Sequence, residues 1–335
     1  MKNSQKNGML CVLFSLVGAC FLFYAKKTAA YAYIGLKTWF DTMIVSLFPF
    51  LVLVNLLFLC DLTSQFITPL YLPLRFLLRI TKESAFVMLF GFLCGFPLGG
   101  KCVVDFYKQG RLSKKNAEYL LAFCNNLGPT YLLGFVLTQI LPDFSALHAV
   151  FLIYGTSLLY GLFLRYTIYK KALDRDFYAA QRALAGKQPT SFLASRAAFI
   201  RTSRSDAAAK PSLLTALPDA VQSALSQLTL LGGYMILFNA LRILPDLLFL
   251  SCPPLYILTQ STMEISGGLL CLKVRISQDV PKVCFVFSAL AFNGFCCHFQ
   301  TFSLLNGTRL SVQKYMLHKI ALCSITAIMT YLTLC

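Results

Sequence analysis

Apolar residues along this chain gather in blocks, and the lengths and interruptions of those blocks say most about it. A helix needs about 20 apolar residues to cross the hydrocarbon core of a bilayer. Residues 9–24 predict a short first span and 42–60 a second, which carries Pro49. Between them, 31–41 mixes polarity through Lys37, Trp39 and Asp41 and predicts an interfacial lead-in. Residues 62–80 contain Pro69, Pro73, Arg75 and Arg79, and fit an interfacial helix, a re-entrant piece or a poor span alike. A conventional span is predicted at 145–169, and further spans at 228–244, 255–272, 283–305 and 315–334. Residues 213–228 place apolar positions near helical spacing around Asp219 and Gln222 and predict an amphipathic helix.

Two blocks differ from the rest. Residues 84–104 and 119–141 are long enough for a membrane, yet each is broken in its middle. The first break is Gly95-Phe96-Pro97-Leu98-Gly99-Gly100-Lys101 and the second Asn125-Asn126-Leu127-Gly128-Pro129-Thr130. Backbone at bilayer depth has no water to satisfy it, so broken helices survive only where protein or a wet cavity covers them. Secondary transporters build midplane substrate sites from such helices. The pattern therefore points to transport.

Composition supports the membrane class. Hydrophobic residues make up 57% of the 335 and charged residues 13%, with a mean hydropathy of +0.68; soluble domains carry about 25% charged residues. The chain has room for roughly eight to ten membrane segments, broken or re-entrant ones included. The fold class expected is all-α and polytopic. The net charge of +17 sits mainly between apolar blocks, which favours topology and anionic headgroups over nucleic acid. Thirteen cysteines include no Cys-x-x-Cys and lie mostly in apolar runs, as packed small hydrophobes would. Lys2 and Lys6 before residues 9–24, then Lys26-Lys27, mimic a signal peptide. No soluble exported domain follows, so a retained span is expected.

Charge also predicts orientation. Residues 170–212 hold nine Lys/Arg against three Asp and no apolar run of span length. They predict a cytoplasmic connector, the least ordered part of the chain. Alternation then puts the turn around Arg111 and the basic run 273–282 inside, and Pro142-Asp143 and Pro245-Asp246 outside. Arg111-Leu112-Ser113 recurs as Arg309-Leu310-Ser311, each after a Gly and a broken apolar segment. On that register 84–104 pairs with 283–305 and 119–141 with 315–334. Five intervening spans would place the two turns on opposite faces, as an inverted repeat does.

Here a resemblance enters. Residues 95–101 above, with Tyr107-Lys108-Gln109-Gly110-Arg111-Leu112-Ser113 and Phe123-Cys124-Asn125-Asn126-Leu127-Gly128-Pro129, resemble the YlbJ family of sporulation integral membrane proteins, also called the stage V sporulation protein V family. Met263-Glu264-Ile265-Ser266-Gly267-Gly268 and the Asn293 to Gln300 run look like its second half. The resemblance covers the chain from about Thr38 onward, connector excepted. It implies a nucleoside-recognition Gate domain distantly similar to concentrative nucleoside transporters. On this division 1–30 is an N-terminal span, 31–169 and 213–335 are Gate-like halves, and 170–212 is the connector. The resemblance also implies endospore formation, where the best-understood members move dipicolinate across the outer forespore membrane.

A site for dipicolinate, a ring with two carboxylates, needs positive potential with few fixed charges, which half-helix N-termini supply. Gly95, Pro97, Gly99 and Gly100 let backbone approach an anion, and Lys101 adds charge; close helix packing is the other reading. Asn125 and Asn126, before Gly128 and Pro129, offer donors and acceptors to substrate or cap the severed helix. Asn293, His298 and Gln300 line the second-half break. Glu264 is an ionisable group inside an apolar block, a candidate for the coupling proton or cation, or else a salt-bridge partner of Lys101. No catalytic constellation, metal set, cofactor motif or phosphate loop appears in the sequence. The expected activity is secondary transport of a small organic anion. A nucleoside-like substrate and a non-transporting sporulation scaffold are the alternatives, and the oligomeric state, a homo-oligomer included, stays open.

Overall fold

The computed structural model describes residues 2–184, 212–275 and 280–335. Every described element is helical, and five helices are long and apolar enough to cross a membrane. The protein is an all-α, multi-pass integral membrane protein.

Helix α1 (Lys2–Phe23) touches the helix that starts at Ala25 and the short helix Ile243–Phe249, and leaves most of its apolar surface exposed. Helix α2 (Ala25–Leu59) absorbs the expected lead-in and second span into one rod, with a wider π turn at Trp39–Ile44. It packs along α10 (Leu213–Ala240). The expected division of 213–244 at Leu228 does not occur. Ala216, Ala220, Ala224 and Leu228 recur every four residues and form one buried stripe, so a single helix serves both. The two rods run antiparallel and are pinned at several heights. Asn55 donates to the Ala220 carbonyl at 3.2 Å and Trp39 Nε1 to that of Leu228 at 2.8 Å. The Trp39 ring covers Gly232, where a Cβ would collide with it.

Helix α3 (Thr63–Leu78) occupies the ambiguous stretch. Its first residue bonds Arg111 at 2.8 Å, and its last carbonyl takes Arg165 Nε at 2.5 Å. Both ends therefore lie at the end of the bundle where the connector begins, and α3 does not cross. Helices α4 (Lys82–Cys94) and α5 (Leu98–Lys108) are not two halves of one span. They fold back on each other, Gly99 lying against Gly91 with no room for a side chain. Helices α6 (Lys114–Phe123) and α7 (Pro129–Ile140) do run through, around a non-helical link. Helix α8 (Ala146–Tyr166) returns to the connector end.

There, the chain departs from expectation. Residues 170–184 form α9 (Lys170–Leu184) because Tyr169, Leu173 and Phe177, spaced by four, bury one stripe. Asp174 pairs with the fully buried Arg165 at 2.6 Å, and Asp176 accepts from Ser113. Residues 185–211, the rest of that expectation, lie outside the described residues.

Beyond α10, the short α11 (Ile243–Phe249) leads to α12 (Pro253–Met263) and α13 (Ile265–Arg275). The single span expected at 255–272 is instead a second hairpin, with Gly268 packed on Ser261. Arg242, at the far end of α10, reaches Cys271 at 3.0 Å, so the hairpin returns to the far end. The run 273–282 therefore starts opposite the connector, not beside it. Helices α14 (Val280–Phe292) and α15 (Gly294–Leu305) meet at Asn293, and α16 (Val312–Leu334) is continuous.

That continuity removes the expected pairing of 119–141 with 315–334. The recurrent tripeptide marks two helix starts built alike. Gly110 and Gly307 have positive φ, Leu112 and Leu310 are buried, and Ser113 and Ser311 cap the following helix. Lys314 pairs with Glu118 at 2.9 Å, tying the first turn of α16 to α6. Both turns thus lie at one end. Single cysteines at Lys114 and Arg309, in a background without reactive thiols, should react with impermeant maleimide from the same side; labelling from opposite sides would exclude this arrangement.

Candidate functional site

Each helix interruption frees backbone donors and acceptors that need partners, and the four interruptions meet. At the tip of the first hairpin, Gly95 has φ +71° and its α-carbon faces Gly128 so closely that no side chain fits. Phe96 N donates to Asn126 O at 2.5 Å. Within the α6–α7 link, Asn126 Nδ2 takes the Phe123 carbonyl at 2.7 Å and Ser157 at 2.9 Å. Asn125 Oδ1 accepts from Gly100 N at 3.1 Å, and its Nδ2 reaches Thr301 at 3.1 Å and Tyr315 at 3.2 Å. Asn293, in the left-handed region at φ +76°, donates through Nδ2 to Asn125 O at 3.0 Å.

The tip of the second hairpin is Glu264. Its carboxylate caps the helix that follows, accepting from Ser266 N at 3.0 Å and Gly267 N at 2.8 Å. Those amides are the positive end of the α13 dipole, a favourable place for a carboxylate. Asn239 Nδ2 adds a third donor at 3.0 Å. A chain of bonds continues outward: Asn239 to Arg242 at 3.1 Å, Arg242 to Gln260 at 2.7 Å, and Gln260 to Asp246 at 2.8 Å. At the far end Asp246 holds Lys27 at 2.5 Å and Tyr31 at 2.6 Å.

Between the breaks lies a cavity lined by Gly128, Thr130, Tyr131, Glu264, Ser266, Asn293 and Gln300, with Met43, Leu47 and Met235 among its apolar walls. The space within it open to the centres of water molecules is about 60 Å³. No Lys, Arg or His lines it among the described residues. Gln300 Oε1 is buried there without a hydrogen-bond partner, a free acceptor.

Of the residues singled out in the sequence, the cavity thus gathers Gly128, Glu264, Asn293 and Gln300. The others stand elsewhere. Gly95, Gly99 and Gly100 serve close backbone approach, and Pro97 and Pro129 start helices. Asn125 and Asn126 spend their amides on the break itself. Lys101 pairs with Asp105 at 2.8 Å beside a neighbouring cleft with Pro97, so it is not the partner of Glu264. His298 is fully buried and hydrogen-bonds Tyr315 at 3.1 Å, outside the cavity.

Three groups at the breaks escaped the sequence reading. Lys319 is fully buried in α16, with Nζ at 2.5 Å from Asn125 O and 3.2 Å from Asn126 Oδ1. Asn239 and Arg242 hold Glu264 in place. A cation within the apolar block 315–334 was the available signal for Lys319.

Set beside known proteins, the chain is similar to the sporulation integral membrane protein YlbJ of Bacillus subtilis (strain 168). It is 27% identical over 225 residues, covering 65% of this chain and 50% of that protein. The match thus spans about half of the relative's length, and the relationship is distant. No family model matches the chain, and no solved structure does.

The approach of Gly95 to Gly128 gives a direct check. Gly95→Ala places a Cβ against backbone and in a conformation costing about 1–3 kcal/mol for a non-glycine residue. Thermal unfolding in detergent should show a clear loss of stability; wild-type stability would mean the hairpin tip does not pack on the break.

Proposed function

We propose that this protein is a secondary carrier for a small polar organic solute that binds in the cavity where the four helix breaks meet. The carrying observation is that convergence. Two hairpins and two interrupted helices give up regular hydrogen bonding at one place, and a carboxylate and a free amide oxygen face the space between them. In this reading Gln300, Asn293 and Thr130 contact the solute, and Glu264 binds the coupling proton or cation.

Dipicolinate is the substrate favoured by the family resemblance and by the distant relation to a sporulation protein. The outer forespore membrane of a spore former is then its place. An uncharged nucleoside-like ring is the second reading, favoured by a cavity whose one fixed charge is negative. The connector end faces the cytoplasm in this proposal, because Arg111, Lys114, Lys115, Lys170, Lys171 and Arg309 gather there.

An inverted repeat also belongs to the reading, on a different register from the tripeptide match. Helices α2 and α10, the hairpins α4–α5 and α12–α13, the interrupted pairs α6–α7 and α14–α15, and then α8 and α16 follow in the same order. The first hairpin enters from the connector end and the second from the far end.

Reconstituted protein should take up dipicolinate, or else a nucleoside, down a proton or sodium gradient. A carrier that moves neither, in liposomes containing folded protein, would leave a scaffold as the better account. Gln300→Ala should weaken the apparent affinity about 2- to 13-fold, the loss of one hydrogen bond. Glu264→Gln should still bind substrate but lose the dependence on the driving ion.

A further inference from the structure

Lys319 is the one buried ammonium at the helix breaks among the described residues, and the solute cavity does not use it. Its Nζ is sealed from solvent. It touches two oxygens of the α6–α7 link, Asn125 O and Asn126 Oδ1, and no carboxylate lies within 4 Å among the described residues. A buried ammonium without an anionic partner is costly, so its surroundings must supply negative potential by other means. The link just beyond the severed end of α6 does so, with Asn125 O and Asn126 Oδ1. The carboxyl end of a helix carries a partial negative charge, and half-helix ends with unwound carbonyls are where carriers hold sodium ions. Asn125 O accepts from Asn293 Nδ2 as well, so this one carbonyl ties together the α6–α7 link, the α14–α15 break and α16.

We infer that the Lys319 ammonium is a tethered monovalent cation, filling a cation site at the carboxyl end of α6 that would otherwise take a free alkali-metal ion. The inference builds on the carrier reading for its consequence: no alkali-metal ion is carried at this break, and ion coupling is left to Glu264. The site itself is read from the contacts of Lys319 and can be tested without transport.

The experiment is thermal unfolding of the purified full chain in detergent, with sodium chloride exchanged for choline chloride at constant ionic strength. The wild type should gain less from sodium than Lys319→Ala does, any gain of its own being that of an ion at Glu264. Lys319→Ala, which vacates the site, should unfold at a lower temperature in choline and recover by about 2 °C or more in sodium. A wild type that gains as much from sodium, or a Lys319→Ala protein indifferent to it, overturns the inference. If Lys319→Ala does not fold in either salt, Lys319→Gln decides, since it keeps N–H donors without the charge. Only a Lys319→Gln protein less stable than wild type, and stabilised by sodium more than the wild type is, upholds the inference; any other result overturns it. Transport failure in the same preparation, with these outcomes obtained, would count against the carrier reading alone.

Discussion

A helix interrupted inside an apolar surrounding leaves amides and carbonyls that water cannot reach, and the centre of this molecule is arranged around meeting that demand. Four interruptions are brought together; three satisfy one another, and the fourth is capped by the Glu264 carboxylate. Phe96 N finds Asn126 O, Asn293 Nδ2 finds Asn125 O, and Gly100 N finds the Asn125 side chain. Left apart, each break would carry its own desolvation penalty of about 1–3 kcal/mol per unpaired group. The breaks therefore depend on one another, and the helices that bear them must cross where they do.

The break between α6 and α7 and the break at Glu264 answer the same demand with different chemistry. In the first, neutral amide side chains and a buried ammonium quiet the link between α6 and α7. In the second, a carboxylate takes the free amides at the start of α13, and Asn239 and Arg242 steady it from behind. Positive and negative groups are thus assigned to opposite ends of severed helices, each where the local dipole favours it. Glu264 and Lys319 are both buried, but Glu264 lines the cavity while Lys319 does not.

The breaks at Gly95–Pro97 and Asn125–Pro129 were legible because glycine and proline announce them in sequence. The break at Glu264 was not: Met263 and Ile265 continue an apolar run, and the reversal there comes from Gly268 closing on Ser261 across the hairpin. Hydropathy counts apolar length and cannot tell a crossing helix from two short arms lying together, so 84–104 and 255–272 both read as spans. The all-helical, multi-pass class survived that error, while the expectation that α13 ends beside the connector did not. Asn125 and Asn126 stand out in the sequence as costly residues, with substrate contact and capping both open, and only the fold gives their amides to the severed backbone and its neighbours. Lys319 stood in plain view as a charge in an apolar block and was passed over because nothing near it breaks the helix.

The long rods α2 and α10 carry a mechanical consequence. They are held at widely separated heights, by Asn55 on the Ala220 carbonyl, Trp39 on that of Leu228 and across Gly232, and Lys27 and Tyr31 on Asp246 just beyond. A slide of either rod by one helical turn is about 5.4 Å and would break all of these together. Like a keyed shaft, the pair resists both slip and rotation, and displacement falls to parts that hold fewer such keys. The hairpin arms, seated glycine against backbone, move as stiff wedges or not at all.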